Sequence, residues 1–236
     1  MGSRSIAKTS EQVESCGKCP RLVKWREAVA AEKRAAFAGE TYWGKAVPGF
    51  GDPDAWLMII GLAPAAHGAN RTGRMFTGDR SGEWLYGALY RADLSSAPRS
   101  VARDDGLDLT GVYVTSVVKC APPANKPTPA ERDECTRYLV DELAAISPSV
   151  VVALGKFAWD GLLRALSQAG SDLPSPRPRF AHLAEIELAG PRRGATLIGS
   201  FHPSQQNTFT GKLTSEMFDA VFARALAVGR GAGTQV

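Results

Sequence analysis

Four cysteines have types and spacing that suit a metal centre. Cys16 and Cys19 form a C-x-x-C pair, and Cys120 and Cys135 are the other two cysteines of the chain. In a reducing compartment such a set favours metal binding over disulfides. Zinc and a 4Fe–4S cluster both accept four thiolates. The wide spacing of the second pair is unlike a zinc ribbon and leans toward the cluster, but it leaves zinc open, as well as buried thiols with no metal.

A second group of chemically active residues follows the apolar runs of the chain. Residues 55–60, 112–117, 150–154 and 196–201 are almost continuously apolar, which is typical of parallel strands covered on both faces. Each run leads into a polar or glycine-rich segment, at residues 61–68, 119–123, 155–156 and 202–207. Ligands of open α/β sheets bind outside the carboxyl ends of the strands. The pattern therefore predicts one site at one sheet edge.

Several side chains of these segments are candidates for that site. His202 lies between a buried strand and a proline, where it is placed to donate a hydrogen bond into a pocket; a turn-capping structural histidine is the alternative. Phe76 stands alone among polar residues and is a candidate stacking surface for a flat base, or else a plug into the core. Three basic residues of the same loop are candidates for phosphate contacts: Arg71, Arg74 and Arg80.

The elements that must position these residues alternate along the chain. Helical patterns occupy residues 21–37, 83–94, 129–146, 157–167 and 214–228. The third begins with a capping box formed by Thr128 and Glu131, with proline at its first position. Alternating strands and helices predict an α/β sandwich with a mainly parallel sheet, with a short extra strand near residues 184–188. We expect one domain over residues 16–228, a flexible leader over 1–15 and a flexible tail over 229–236.

Composition sets the wider limits. The 236 residues are 44% hydrophobic, which is enough for one full core. The net charge of +4 permits a polyanionic partner without establishing one. The apolar runs fall short of the roughly 20 residues that a membrane span needs. With no secretory signal visible, we expect a cytoplasmic monomer without a membrane partner.

Three motifs in order give the chain a specific resemblance. Residues 61–79 (GLAPAAHGANRTGRMFTGD) resemble the first motif of family 5 (type B) uracil-DNA glycosylases, and residues 202–207 (HPSQQN) resemble their second active-site motif. Residues 119–131 (KCAPPANKPTPAE) and the four cysteines resemble the segment and ligand set that hold a 4Fe–4S cluster in that family. The resemblance covers about residues 16–228, and it favours the cluster over zinc.

The resemblance implies a fold and an activity. The fold would be a three-layer α/β/α sandwich around a central four-stranded, mainly parallel sheet. The activity would be base excision, in which a damaged base is extruded from DNA and its N-glycosidic bond is hydrolysed to leave an abasic site. Substrates of relatives extend beyond uracil to hypoxanthine, ethenocytosine and hydroxymethyluracil. Duplex DNA would be the partner, with single-stranded DNA left open, in the cytoplasm and at the nucleoid during repair.

The resemblance also carries roles over to individual residues. Phe76 would stack on the extruded base, and His202 would hydrogen-bond the carbonyl oxygen on which negative charge develops. The remaining substrate-binding candidates are Gly61, Ala63, His67, Ser116 and Asn207, of which Asn207 and its neighbours would lie on the loop that enters the duplex. The cluster would be structural, because base excision transfers no electrons.

Two departures from related glycosylases bear on the mechanism. Ala63 and Ala66 stand where relatives carry a polar or acidic residue that holds water. No strong general base is evident, which fits a dissociative mechanism, and Asn70 and Asp79 are the remaining candidates for placing the water. Ser116 stands where type 4 relatives have an asparagine that reads uracil. Since serine makes fewer hydrogen bonds, we hypothesise a broad substrate range.

Three other functions remain open from the sequence. The four cysteines are compatible with an iron–sulfur redox protein, although the chain has no flavin or dinucleotide fingerprint. The absence of an acidic residue at positions 63 and 66 is compatible with a DNA-damage sensor that binds lesions and releases no base. A zinc-stabilised RNA-binding module is the third, and the identity of the metal would separate it from the others.

Overall fold

A six-stranded mixed sheet forms the centre of the computed structural model, which describes residues 2–188 and 195–232. The strand order is β1-β3-β2-β4-β6-β5. The strands are β1 (Phe50–Gly51), β2 (Leu57–Gly61), β3 (Val112–Ser116), β4 (Val150–Leu154), β5 (Glu185–Glu187) and β6 (Thr196–Ser200). The inner four pair in parallel, and the two edge strands pair antiparallel to their neighbours.

The inner sheet confirms the predicted fold class. Its four strands coincide with the four apolar runs, and β5 falls on the short extra strand expected near residues 184–188. The sheet nevertheless has six strands rather than four, since β1 adds a second antiparallel edge. A strand of two residues is too short for any hydrophobic alternation, which is why the pattern missed it.

Eight helices surround the sheet in the described part of the chain. They are α1 (Gly2–Glu14), α2 (Pro20–Glu32), α3 (Ala69–Thr72), α4 (Arg80–Arg91), α5 (Pro129–Ile146), α6 (Lys156–Gln168), α7 (Gln205–Phe209) and α8 (Ser215–Ala232). The predicted capping box of α5 is present: Glu131 N donates to Thr128 Oγ1 (3.2 Å), and Thr128 N donates to the Glu131 carboxylate (2.7 Å). None of the described helices is long and apolar enough to cross a membrane.

Two apolar cores, one on each face of the sheet, hold the layers together. Along β2, Met58 and Ile60 face one core, while Leu57 and Ile59 face the other. The first core is completed by residues of α1, α2, α5 and α6, and the second by residues of α4 and α8. This alternation is what a strand buried on both faces requires.

The amino-terminal segment differs from the flexible leader that we expected. Residues 2–14 form α1, which packs against α5. Ile6, Thr9 and Val13 recur at helical spacing on one face, where Thr9 and Val13 are buried. The apolar positions are few, so the polar composition concealed the helix. At the other terminus α8 continues to Ala232, beyond the expected start of the tail; residues 233–236 lie outside the described residues.

A fully buried ion pair fastens β3 and its following loop to α5. Lys119 Nζ donates to both oxygens of Glu142, at 2.9 and 2.7 Å, and to Thr115 Oγ1 at 2.5 Å. Both charged side chains are 1% exposed. Removing one partner of such a pair leaves the other charge buried without compensation.

We expect Lys119→Met to lower the free energy of unfolding by about 3–5 kcal/mol, because Glu142 would be left buried and unpaired. Lys156→Met is the matched control, since Lys156 forms an exposed pair with Asp160 within α6, worth about 0.3–0.5 kcal/mol. Urea unfolding of the three proteins measures the difference. A loss no larger than that of the control would show that the buried pair is not needed for stability.

Candidate active site

The segments that follow β2, β3 and β6 meet in one cleft of about 540 Å³. Three of the four polar segments that the sequence places at the carboxyl edge of the sheet thus contribute to the cleft or lie next to its lining, whereas residues 155–156, after β4, do not line it. The lining comes from the loop after β2, from the turn at residues 123–125 and from the segment after β6: Leu62, Ala63, Ala65, Met75, Phe76, Asp79, Arg80, Ser81, Asn125, His202, Ser204, Gln205 and Gln206.

Phe76 is held in the cleft wall by close backbone packing. It is 6% exposed and has a φ of 53°, a conformation that side-chain-bearing residues seldom adopt. A Cβ on Gly61 would lie 2.7 Å from Phe76 Cζ, and a Cβ on Gly82 would lie 1.7 Å from the Phe76 carbonyl oxygen. Both positions therefore require glycine, because a Cβ at either one would overlap with Phe76. Gly61 supports the cleft from behind rather than lining it.

His202 lies near Phe76 in the lining of the cleft. The two ring centroids are 6.1 Å apart with an interplanar angle of 31°. Burial lowers the pKa of His202 to about 4, so the imidazole is neutral at physiological pH. Its main chain is fixed by Asn207, whose Nδ2 donates to the His202 carbonyl oxygen at 2.9 Å. Asn207 thus orients His202, a role that the sequence did not suggest.

Asp79 brings a carboxylate to the same cleft. It caps the amino terminus of α4 and accepts a hydrogen bond from Gly82 N through Oδ1 at 2.9 Å. Burial raises the pKa of Asp79 above its usual value, although the backbone donors of α4 oppose this effect. Of the two residues suggested for placing water, Asp79 is the one that the structure brings to the cleft.

Asn125 is a lining residue that the sequence analysis did not select. It follows two prolines in a short 3-10 turn and has a φ of 56°, which asparagine tolerates better than most residues. Its amide lies in the same cleft as Asp79 and His202. The available signal was an asparagine in a proline-rich turn just after β3, which we treated only as part of the cysteine-containing motif.

Two further proposed site residues do not line the cleft, in addition to Gly61, His67 and Asn207. Asn70 is fully buried, and its Nδ2 donates to the carbonyl oxygens of Arg26 (3.2 Å) and Ala66 (3.4 Å). Ser116 donates to the Val118 carbonyl oxygen at 3.0 Å and contacts Met75 Sδ at 3.6 Å. Both side chains bond within the protein interior, and Asn70 Oδ1 is buried without a partner among the described residues. The catalytic role of Asn70 and the base-reading role of Ser116 stay predictions.

A second cleft of about 310 Å³ adjoins the first and contains His67. His67 Nδ1 lies 3.1 Å from Tyr42 Oη, so His67 is beside the candidate base pocket rather than in it. Arg34 and Arg80 also line this cleft. Burial, followed by the charges of Arg34 and Arg71, lowers the pKa of His67.

Only one of the three loop arginines proposed for phosphate contacts is exposed. Arg71 is ion-paired with Glu40 and donates to the carbonyl oxygens of His67 and Gly78. Arg74 is paired with Asp105 at 2.5 Å. Both are buried and brace the loop internally, whereas Arg80 is exposed beside the cleft, with its guanidinium 4.3 Å from the centre of the Phe209 ring.

The four cysteines line one small cavity between α2, α5 and the loop after β3. Cys120 accepts a hydrogen bond on Sγ from Arg26 Nη1 (2.9 Å), and Cys135 accepts one from Lys119 N (3.2 Å). Burial raises the pKa of Cys120 to about 11 and that of Cys135 to about 12. No three potential ligands of the described residues lie close enough to share a single ion.

Four cysteine sulfurs around one cavity, two of which accept N–H hydrogen bonds, form a donor set that suits either a tetrahedral zinc ion or a 4Fe–4S cluster.

Comparison with known proteins gives a consistent family. Residues 48–226 match the model of the uracil DNA glycosylase superfamily. The chain is 51% identical to a type-5 uracil-DNA glycosylase of Mycobacterium bovis over 95% of this chain and 82% of the relative. It is 50% identical to a type-5 uracil-DNA glycosylase of Thermus thermophilus (91% and 94%), and 31% identical to a type-4 uracil-DNA glycosylase of Thermotoga maritima (83% and 79%).

We expect the His202 imidazole to stay neutral from pH 8 to about 5, because burial holds its pKa near 4. The unfolded chain protonates a histidine near pH 6.5. Below that pH the unfolded state binds a proton that the folded state does not, so this residue lowers stability as pH falls toward 4. An NMR titration of the imidazole protons, with the urea-unfolded protein as control, measures this. A midpoint near 6.5 in the folded protein would contradict it.

Proposed function

The chain belongs to the uracil DNA glycosylase superfamily, and on that premise we propose that it excises uracil and other damaged bases from DNA. The observation that carries the proposal is the pair formed by Phe76 and His202, an aromatic ring and a neutral hydrogen-bond donor that line the same cleft. The cleft of about 540 Å³ is large enough for a base extruded from the stack.

His202 stabilises the leaving base in the proposed reaction. The N-glycosidic bond breaks early, its electron pair goes to the base, and negative charge develops on a carbonyl oxygen of the ring. His202 donates a hydrogen bond to that oxygen, and it does so as a neutral imidazole because burial keeps its pKa low. Phe76 stacks on the base and fixes its plane. The deoxyribose cation that remains is captured by water, which leaves an abasic site.

Asp79 is the residue that we propose positions this water. Ala63 lines the cleft without a polar side chain, and Ala66 is also apolar, so the loop after β2 offers no carboxylate near its start. Asp79 supplies one further along the same loop, where its Oδ1 is oriented by Gly82 N. In a dissociative reaction water adds to a sugar cation, so it needs little activation by a general base.

We infer a broad substrate range from the apolar part of the cleft lining. Leu62, Ala63 and Met75 belong to it and can form no hydrogen bond that selects one ring over another. Ser116, which we first considered as the reader of the base edge, is fully buried in contact with Met75, a residue of the cleft lining. We therefore propose hypoxanthine, ethenocytosine and hydroxymethyluracil as further substrates.

DNA is the partner that this site requires. Arg80 at the rim and Arg34 beside the second cleft are placed to meet phosphates next to the extruded nucleotide. Phe209 is 66% exposed at the end of α7, on the segment proposed to enter the duplex. We propose action on duplex and single-stranded DNA by a monomer, in the cytoplasm and at the nucleoid.

Cys16, Cys19, Cys120 and Cys135 are proposed to hold a 4Fe–4S cluster. The common cavity and the N–H donors to two sulfurs support this assignment. When bound, the cluster would cross-link distant parts of the chain rather than take part in the reaction. It would join the α1–α2 connection to the Cys120 loop and to α5, which carries Cys135.

We expect purified protein to release uracil from a labelled duplex, and His202→Ala to lower the rate by about 10²–10³-fold, since a donor to the developing anion is lost. Alkali cleavage of the abasic product measures the rate. The same duplex with thymine in place of uracil is the control. Duplexes with hypoxanthine, ethenocytosine and hydroxymethyluracil rank the other substrates.

Binding of the uracil duplex without release of any base would contradict the proposed activity and would favour a damage sensor. An undiminished rate in His202→Ala would leave the activity standing but remove His202 from the mechanism.

We expect about four irons per chain in protein purified without oxygen, and fewer in Cys135→Ser, with a lower unfolding temperature. The remaining iron-loaded fraction should keep a rate of uracil release close to that of the unsubstituted protein, because the sulfurs do not line the cleft. Iron analysis and thermal unfolding measure both effects. A well-folded, iron-loaded Cys135→Ser protein without activity would contradict a structural cluster.

A further inference from the structure

Arg26 is a buried cation that lacks the anion it needs. Three arginines of the described chain are nearly inaccessible: Arg26 (5% exposed), Arg71 (7%) and Arg74 (3%). Arg71 is paired with Glu40 and Arg74 with Asp105. Arg26 has no carboxylate within ion-pair distance among the residues that the structure describes. A guanidinium stays charged at any physiological pH, so its burial calls for a compensating negative charge.

The groups that Arg26 does contact belong to the cysteine cavity. Its Nη1 donates to Cys120 Sγ at 2.9 Å, and its Nη2 donates to the Cys16 carbonyl oxygen at 3.0 Å. Its Nε is buried and has no protein acceptor. The guanidinium therefore bridges the two distant segments that provide cysteines, and one of its donors is still available to a group between them.

Three other cations near the cavity are paired with carboxylates. Lys119 is paired with Glu142, Lys18 with Glu134 and Arg21 with Glu131. The two glutamates on the first turns of α5, Glu131 and Glu134, add negative charge on that side. Arg137, near Cys16, also has no carboxylate partner among the described residues, but it is exposed and donates to Tyr138 Oη. Arg26 is thus the buried cation beside the cysteines whose charge no carboxylate of the described residues matches.

We propose that Arg26 is the counter-charge of the metal centre and controls how firmly it is retained and how easily it is reduced. The inference rests on the proposed cluster, whose four thiolates outweigh the positive charge of its iron–sulfide core. An N–H donor to a cysteine sulfur, together with a buried positive charge, stabilises the more negative, reduced state. Arg26 is a positioning residue, since it contacts a ligand and not the DNA base.

The test compares Arg26→Gln and Arg26→Lys with the unsubstituted protein, all purified with iron. Arg21→Gln is the matched control, because Arg21 lies on the same helix but is 44% exposed and paired with Glu131. One measurement is the rate at which bathophenanthroline disulfonate removes iron. Another is the reduction potential of the cluster in an EPR-monitored titration. Circular dichroism before each measurement shows that the variant is folded.

We expect iron loss from Arg26→Gln to be about 10–100-fold faster, the usual effect of removing a hydrogen-bond partner of a metal ligand, with a reduction potential shifted downward. Arg26→Lys keeps the charge but not the paired donors. Its rate of iron loss and its reduction potential should therefore fall between those of the unsubstituted protein and Arg26→Gln. If Arg26→Gln fails to fold, Arg26→Lys alone decides the question. Arg21→Gln should match the unsubstituted protein.

Iron loss and potential unchanged in both Arg26 variants would overturn this inference and leave the cluster proposal intact. Unsubstituted protein that folds and carries no iron would overturn the cluster and Arg26's role together. The rate of uracil release, measured on the same preparations, tests the proposed enzymatic function separately.

Discussion

Parallel pairing of β2, β3, β4 and β6 is the constraint on which the rest of the structure depends. Because the four strands run in one direction, the segments after them leave from one edge of the sheet. The pairing is in register at this edge, where Gly61 lies opposite Ser116 and Leu154 lies opposite Ser200. The residues that follow, including the Phe76 loop and His202, are brought together by this register and not by their distance along the sequence.

Close packing then converts this edge into a defined cleft. The ring of Phe76 reaches its position only because Gly61 and Gly82 carry no side chain, and its unfavourable backbone conformation is maintained by neighbours. Tyr86 Oη donates to the carbonyl oxygen of Met75 at 2.7 Å, which fixes the residue just before Phe76. Buried arginines of the loop also stabilise its conformation, since Arg74 donates hydrogen bonds to residues 100, 103 and 105. Several polar side chains of this loop therefore stabilise its conformation.

The sequence predicts those features that depend on local pattern. The inner strands follow from continuous apolar runs, and α5 was predicted from its capping box with the bounds that the structure shows. The place of the cleft follows from topology together with the polar segments after β2, β3 and β6. Features that depend on tertiary contacts were not predictable in this way. Arg71 and Arg74 look like phosphate ligands in sequence, and only the positions of Glu40 and Asp105 reveal their internal pairing. The interior positions of the Asn70 and Ser116 side chains were not predictable for the same reason, because packing sets the direction of a side chain.

The arrangement of the cysteines has a consequence for the entropy that folding must overcome. Cys19 and Cys120 enclose about half of the chain's sheet, including β1, β2 and β3, and the entire Phe76 loop. When Arg26 reaches Cys120 across 94 positions of sequence, it closes that whole span. Closure of so long a loop is entropically costly. β2 and β4 pair over a similar separation, Leu57 with Val150, so the shell around the cysteines and the centre of the sheet carry closure costs of the same size.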